Sequence, residues 1–110
     1  MSKQADTLDA GDWSGTETLT MEAKRENYPQ ADTVLRYLND LDVEATCDLY
    51  VTHGSDTGNS HGTNTDTKIV SAGAVDGALV TEPWERFFVD VTPTTSPSTG
   101  TITLQQVGGQ

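Results

Sequence analysis

Two histidines and two aspartates fall within one polar stretch, HGSDTGNSHGTNTD, which carries His53, Asp56, His61 and Asp66. Imidazole nitrogens and carboxylate oxygens are ligands for Zn²⁺ and related transition metals. Aspartates with backbone carbonyls would instead suit a hard cation such as Ca²⁺. The spacing matches no compact ligand motif and no EF-hand-like loop, so these residues are expected to be solvated loop residues with no bound metal. The carboxylate pairs Asp40/Asp42 and Glu82/Glu85 invite comparison with glycosidases, whose mechanism needs two carboxyls held at a set distance across a cleft. A chain with 17 acids produces such pairs by chance, and one small domain offers little cleft. No nucleophile elbow, His-paired serine or glycine-rich phosphate loop is present. No catalytic residue and no cofactor is therefore expected.

Cys47 is the lone cysteine. It allows no intrachain disulfide and lies in an alternating run, which predicts a small buried apolar residue. The remaining chemistry is that of contact. Trp84, Arg86 and Phe88 share one parity of the segment PWERFFVDVT, and Trp, Phe and Arg are enriched among interface anchors. Trp13 stands out in an otherwise polar N-terminal stretch, where it would tuck onto this domain or onto a neighbour. These four residues form a candidate subunit interface. The competing possibility is that a loop or the second sheet covers Trp84 and its neighbours, or that Trp84 closes the edge of the core.

The elements that position these residues are short and β-rich. TETLTMEAKR alternates Leu19, Met21 and Ala23 against polar neighbours, which is the period of a strand. TVLRYLNDLD fits either a strand over Val34–Leu38 or a helical turn capped by Asp32. Its strand neighbours and the β-preferring Thr33, Val34 and Tyr37 favour the strand. In VEATCDLYVTHG, the side chains of Val43, Ala45, Cys47, Leu49 and Val51 line one face. TKIVSAGAV predicts a further strand, and DGALVTE a glycine turn followed by Leu79 and Val80. The last two strands run from about Trp84 to Thr92 and from about Gly100 to Val107. Phe87, Val89, Val91, Ile102 and Leu104 form their core face, and Pro93, which has no N–H to give a ladder, ends the first. TTSPST reads as a stiff projecting tip, making the pair a hairpin.

Six to eight short strands with frequent turn signals and no long amphipathic helix predict an all-β fold, an antiparallel β-sandwich or jelly roll. At 110 residues the chain is one domain. The division expected is a polar N-terminal arm over residues 1–15 and a single sandwich over residues 16–110.

The net charge is −11, with 11 Asp, 6 Glu and only 3 Lys, and Thr is the commonest residue at 18. An Asp-rich, Lys-poor surface resembles that of proteins from salt-loving archaea. Such charge repels itself in dilute buffer, whereas the Debye length shrinks to about 3 Å at molar salt. Only Lys24 and Arg25 are adjacent among the six basic residues, so direct nucleic-acid binding is not expected. The first residues lack the apolar core of a signal peptide, and no window approaches a membrane-spanning length.

Three segments, LYVTHGSDT, TKIVSAG and PWERFFVDVTPTTSPSTGTITL, together resemble small β-sandwich structural proteins of tailed viruses, above all those infecting haloarchaea. The shared shape is a strand ending in Gly-Ser-Asp and a short strand ending in Ala-Gly. An aromatic strand with V-x-V-T-P, a Ser/Pro loop and a closing apolar strand follow. It covers roughly residues 45–105. The resemblance implies a non-enzymatic virion component, such as a capsid decoration or turret protein or a neck or tail accessory. It also implies homo-oligomers, contact with other virion proteins such as the major capsid protein, and assembly in the host cytoplasm. The alternative from a different class is a ligand-binding sandwich module for carbohydrate or a cation.

Overall fold

Apolar/polar alternation in β-rich segments such as LTMEA, ATCDLYV and RFFVDV sends one side of each strand into a core, and two sheets facing each other satisfy that demand. The computed structural model describes residues 5–24, 33–52, 63–80 and 86–107. Its strands are β1 (Ala5–Asp9), β2 (Leu19–Lys24), β3 (Thr33–Asn39), β4 (Ala45–Thr52), β5 (Thr63–Val70), β6 (Val75–Val80), β7 (Arg86–Pro93) and β8 (Thr101–Val107). One turn of 3₁₀ helix, Ala10–Asp12, follows β1. Sheet I has the order β1-β8-β3-β6 and sheet II the order β2-β7-β4-β5, with every pairing antiparallel. The expected all-β antiparallel sandwich is thus the observed fold. Successive strands switch sheets at every step except β4 to β5, which is the eight-stranded jelly-roll winding.

The core lies between the sheets. Ala45, Cys47, Leu49 and Val51 of β4, Phe87, Val89 and Val91 of β7, Met21 of β2, Leu35 and Tyr37 of β3, and Ile102 and Leu104 of β8 are all fully buried. Burying an aliphatic or aromatic side chain of this size contributes about 1.5–3 kcal/mol. Each of these positions is the inward parity of its strand, so the alternation carries directly into packing.

The last two strands do not form a hairpin. β7 belongs to sheet II and β8 to sheet I, and their apolar faces meet across the sandwich instead of side by side. The segment between them does not project either. It lies against residues 40–44, the link from β3 to β4. Thr94 donates its N–H to the Glu44 carbonyl at 2.9 Å, and Asp40 donates its own to the Thr101 carbonyl at 2.8 Å. The Asp42 carboxylate accepts the N–H groups of Ser98 and Thr99 at 2.9 and 3.2 Å. Pro97 is buried. Gly100 has φ +94, and a Cβ there would sit 1.9 Å from the Asp40 carbonyl oxygen, so glycine lets the two crossing links touch.

The expected N-terminal arm over residues 1–15 is also corrected over its described part, residues 5–15. Ala5–Asp9 pairs with β8 along the edge of sheet I. The Asp6 carboxylate accepts the Glu22 N–H from β2 at 2.9 Å, satisfying an edge donor that would otherwise face water. Trp13 is only 6% exposed and sits in the core, its indole N–H donating to the Glu17 carbonyl at 2.9 Å. The glycine turn expected in DGALVTE is likewise absent, since Gly77 lies within β6. A Cβ there would fall 2.2 Å from the Leu35 carbonyl oxygen, so close approach to β3 selects glycine. The turn comes earlier, at Gly73 with φ +80, where Ala74 donates to the Ser71 carbonyl at 3.0 Å.

Candidate interface surfaces

A sandwich leaves two broad outer faces, and here they differ in chemistry. On sheet II the outward side chains fall into rows set by register. Glu22, Phe88 and Tyr50 form one row, and Thr20, Asp90, Asp48 and Thr67 the next. Thr92, Thr46 and Ile69 form the third. Asp90 and Asp48 are direct cross-strand neighbours, and like charges so placed repel. Thr20 and Thr67 each donate a hydroxyl hydrogen bond of 2.6 Å, to Asp90 and Asp48 respectively.

The sequence-derived interface residues divide across the fold. Arg86 is exposed on this face, 3.6 Å from Glu22. Phe88 is half-buried beside Tyr50. Trp84 lies outside the described residues. Trp13 is consumed by the domain's own core and is removed from the candidate set, because its ring and its N–H are both satisfied within the chain.

The outer face of sheet I was not singled out by the sequence, yet it is the more apolar. Val107, Val34 and Leu79 form a row across β8, β3 and β6, and Leu38 and Val75 form a parallel row. Val34, Val75, Leu79 and Val107 are 41%, 54%, 58% and 37% exposed. Between the rows runs Gln105, Arg36 and Gly77, so Arg36 stands among aliphatics beside a residue with no side chain. Among the described outward positions of sheet I, Asp9 at the end of β1 is the one acid. A legible signal existed: in TVLRYLN both parities are apolar, as in strands covered on both sides.

Groups with shifted acidity lie away from both faces and serve structure. Backbone N–H donors from Ser98 and Thr99 hold the Asp42 carboxyl below its usual value. The Ser14 N–H does the same for Glu17. Burial, with the nearby Asp48 and Asp76 charges, pushes the Cys47 thiol up to about 12, so it stays protonated and unreactive in the folded chain. Burial also raises the Tyr37 hydroxyl. Asn39 is fully buried and joins three segments. Its side-chain NH₂ reaches the carbonyls of Val43, Val70 and Ser71 at 3.1, 3.0 and 3.3 Å, and its Oδ1 accepts the Leu41 N–H at 3.1 Å. Of the two carboxylate pairs considered for catalysis, Asp42 is a loop staple, while Glu82 and Glu85 lie outside the described residues. The histidine loop of residues 53–62 lies outside them too. Among the described residues no group of three or more His, Cys, Asp or Glu is placed to hold a metal.

No family model matches the chain, and no curated protein matches it in sequence. Among solved structures, one titled "Structure of infectious bursal disease virus Gx strain" is similar over 100% of this chain, at 14% identity and a TM-score of 0.38. The chain spans about a third of that chain's length, 34%.

Proposed function

We propose that the protein is a non-enzymatic structural subunit of a virion, that of a tailed archaeal virus. It would form a symmetric homo-oligomer on the capsid, as a decoration or turret element, or at the neck or tail. The observation that carries this is the outer face of sheet I, where four aliphatic side chains are 37–58% exposed on a chain of net charge −11. Contiguous exposed apolar surface of this kind marks interaction sites. Jelly rolls build capsid shells but also lectins and cupins, so the fold alone does not select a role; the surface favours assembly. The resemblance of residues 45–105 to virion proteins of haloarchaeal tailed viruses supports the virion setting. In that setting its partners are its own copies and other virion proteins such as the major capsid protein, put together in the host cytoplasm. The acidic charge disfavours contact with packaged nucleic acid, and the proposed role needs no membrane.

Light scattering and thermal melts of the purified chain test this. The melting midpoint is expected to rise steeply from about 0.1 M to about 3 M NaCl, as the Debye length falls from about 10 Å to a few ångströms or less. At the high end a defined multiple of 11.8 kDa is expected. A monomer at every salt concentration would overturn assembly in favour of a ligand-binding module. A midpoint independent of salt would remove the halophilic setting.

A further inference from the structure

Arg36 constrains what can cover sheet I. It stands between the Val107–Val34–Leu79 row and the Leu38–Val75 row, so any partner that covers those aliphatics also takes the guanidinium out of water. A buried charge without a counter-charge is costly. The partner must therefore bring a carboxylate to the centre of the contact and apolar side chains to either side of it. A second copy packed through the same face about a two-fold axis fails this requirement. An isologous contact centred on the patch sets Arg36 against Arg36, and among the described outward positions of the opposed faces the one acid is Asp9, at the end of β1.

The required pattern exists on the other side of the same chain. Sheet II carries Asp48 and Asp90 side by side in one row. That row is flanked by Phe88 and Tyr50 on one side and by Thr92, Thr46 and Ile69 on the other. Ile69 is 63% exposed. Sheet II thus carries its acids in the middle row, between a row that holds Phe88 and Tyr50 with Glu22 and a row that holds Ile69 with Thr92 and Thr46, at the same two-residue spacing that sets the oppositely charged Arg36 between the aliphatic rows of sheet I. We propose, resting on the assembly role above, that the occupant of the sheet I face is the outer face of sheet II of a second copy. Arg36 of one subunit lies over the Asp48–Asp90 pair of the next. The guanidinium offsets a like-charge pair within one subunit while gaining its own counter-charge, and the aliphatic rows cover Phe88, Tyr50 and Ile69. The contact is head-to-tail, so every subunit keeps one unused face until a ring closes. Shape follows the same logic, since twisted sheets stack face to face about 10 Å apart.

Chains with one added cysteine test the direction of the contact. Leu38→Cys places a thiol on sheet I and Thr46→Cys one on sheet II, each two residues from the charged row, and the buried Cys47 is controlled for by the wild-type chain. The two variants are assembled separately and as an equimolar mixture at the salt where the oligomer forms, then treated with a short bismaleimide. Covalent dimers in the mixture, with each variant alone at the wild-type background, are the expected result. Cross-linking of Leu38→Cys alone to the same yield would overturn the head-to-tail occupant while leaving assembly through sheet I intact. An oligomer with no cross-link in any sample would also overturn it. A monomer in every sample overturns the assembly role itself. As a second readout, Arg36→Glu should weaken association at least tenfold at the lowest salt that keeps the fold, and Arg36→Glu with Asp48→Arg in the same chain should recover it. No recovery in a double variant that melts like the wild type would count against the charge match.

Discussion

The two sheets are alike inside and unlike outside. Each gives its inward parity to one core, where Phe87, Val89 and Val91 of sheet II meet Leu35, Tyr37, Ile102 and Leu104 of sheet I at zero exposure. Outward, sheet II shows threonines, acids and half-buried aromatics, while sheet I shows aliphatics around a single arginine. The inner faces are similar because one physical demand, removal of apolar area from water, acts on both. The outer faces differ because each answers to whatever lies against it. Acids and threonines are the common composition of this chain, whereas exposed valine and leucine depart from it.

Neighbouring residues of β7 test the contrast most sharply. Phe87→Ala removes a fully buried ring and should cost about 3–5 kcal/mol, enough to unfold most of a domain of ordinary stability. Phe88→Ala, one residue along but outward, should cost about 1 kcal/mol or less in the isolated subunit. Denaturant melts at the lowest salt that keeps the fold, at a concentration where light scattering shows a monomer, compare them, and equal losses would show that the outer face of sheet II is covered within the subunit.

The contrast also requires that the two sheets be locked at the end where β3 crosses to β4 and β7 to β8. Asn39 makes part of that lock. Asn39→Ala leaves buried carbonyls and the Leu41 N–H without their side-chain partner, and should lower stability by about 1–3 kcal/mol. A loss near zero in the same melts would mean that other groups or water hold the crossing links.

The smallest effect belongs to the exposed staple beside it. The folded-state pKa of Asp42 is lowered by the Ser98 and Thr99 N–H groups. Its contribution is therefore present above the ordinary carboxylate range and is lost as pH falls through the folded value. Comparing acid titrations of stability for the wild type and Asp42→Asn isolates this term from the other acids. The wild-type advantage should exist at neutral pH and vanish at the acid end. An advantage that persists below that range would assign the staple to something other than the carboxylate charge.

Much of the fold was legible in the residues themselves. Alternation in TLTMEAK, ATCDLYV, RFFVDV and TITL named the inward side chains of β2, β4, β7 and β8, and burial followed parity at Met21, Cys47, Leu49, Phe87, Val91 and Leu104. Composition announced an all-β, acidic chain. Of the candidate interface residues, Arg86 and Phe88 point outward, but Trp13 turned inward, where the Glu17 backbone carbonyl takes its N–H. The aliphatic face of sheet I was signalled only by apolar residues on both parities of β3, and period two alone does not say which side is covered. Strand partners were not legible at all. Any strand edge offers the same row of N–H and C=O groups, so a local pattern cannot tell β7 to pair with β2 and β4 and leave β8 to the other sheet. That choice was made by contacts distant in sequence: Asp42 taking the N–H groups of Ser98 and Thr99, Gly100 passing under the Asp40 carbonyl, Gly77 admitting the Leu35 backbone, and Asp6 reaching Glu22. Which side chains leave water could be read residue by residue, because transfer from water acts on each alone. Which strands lie together and which outer face is left apolar could not, because both depend on groups that meet only after the chain has wound.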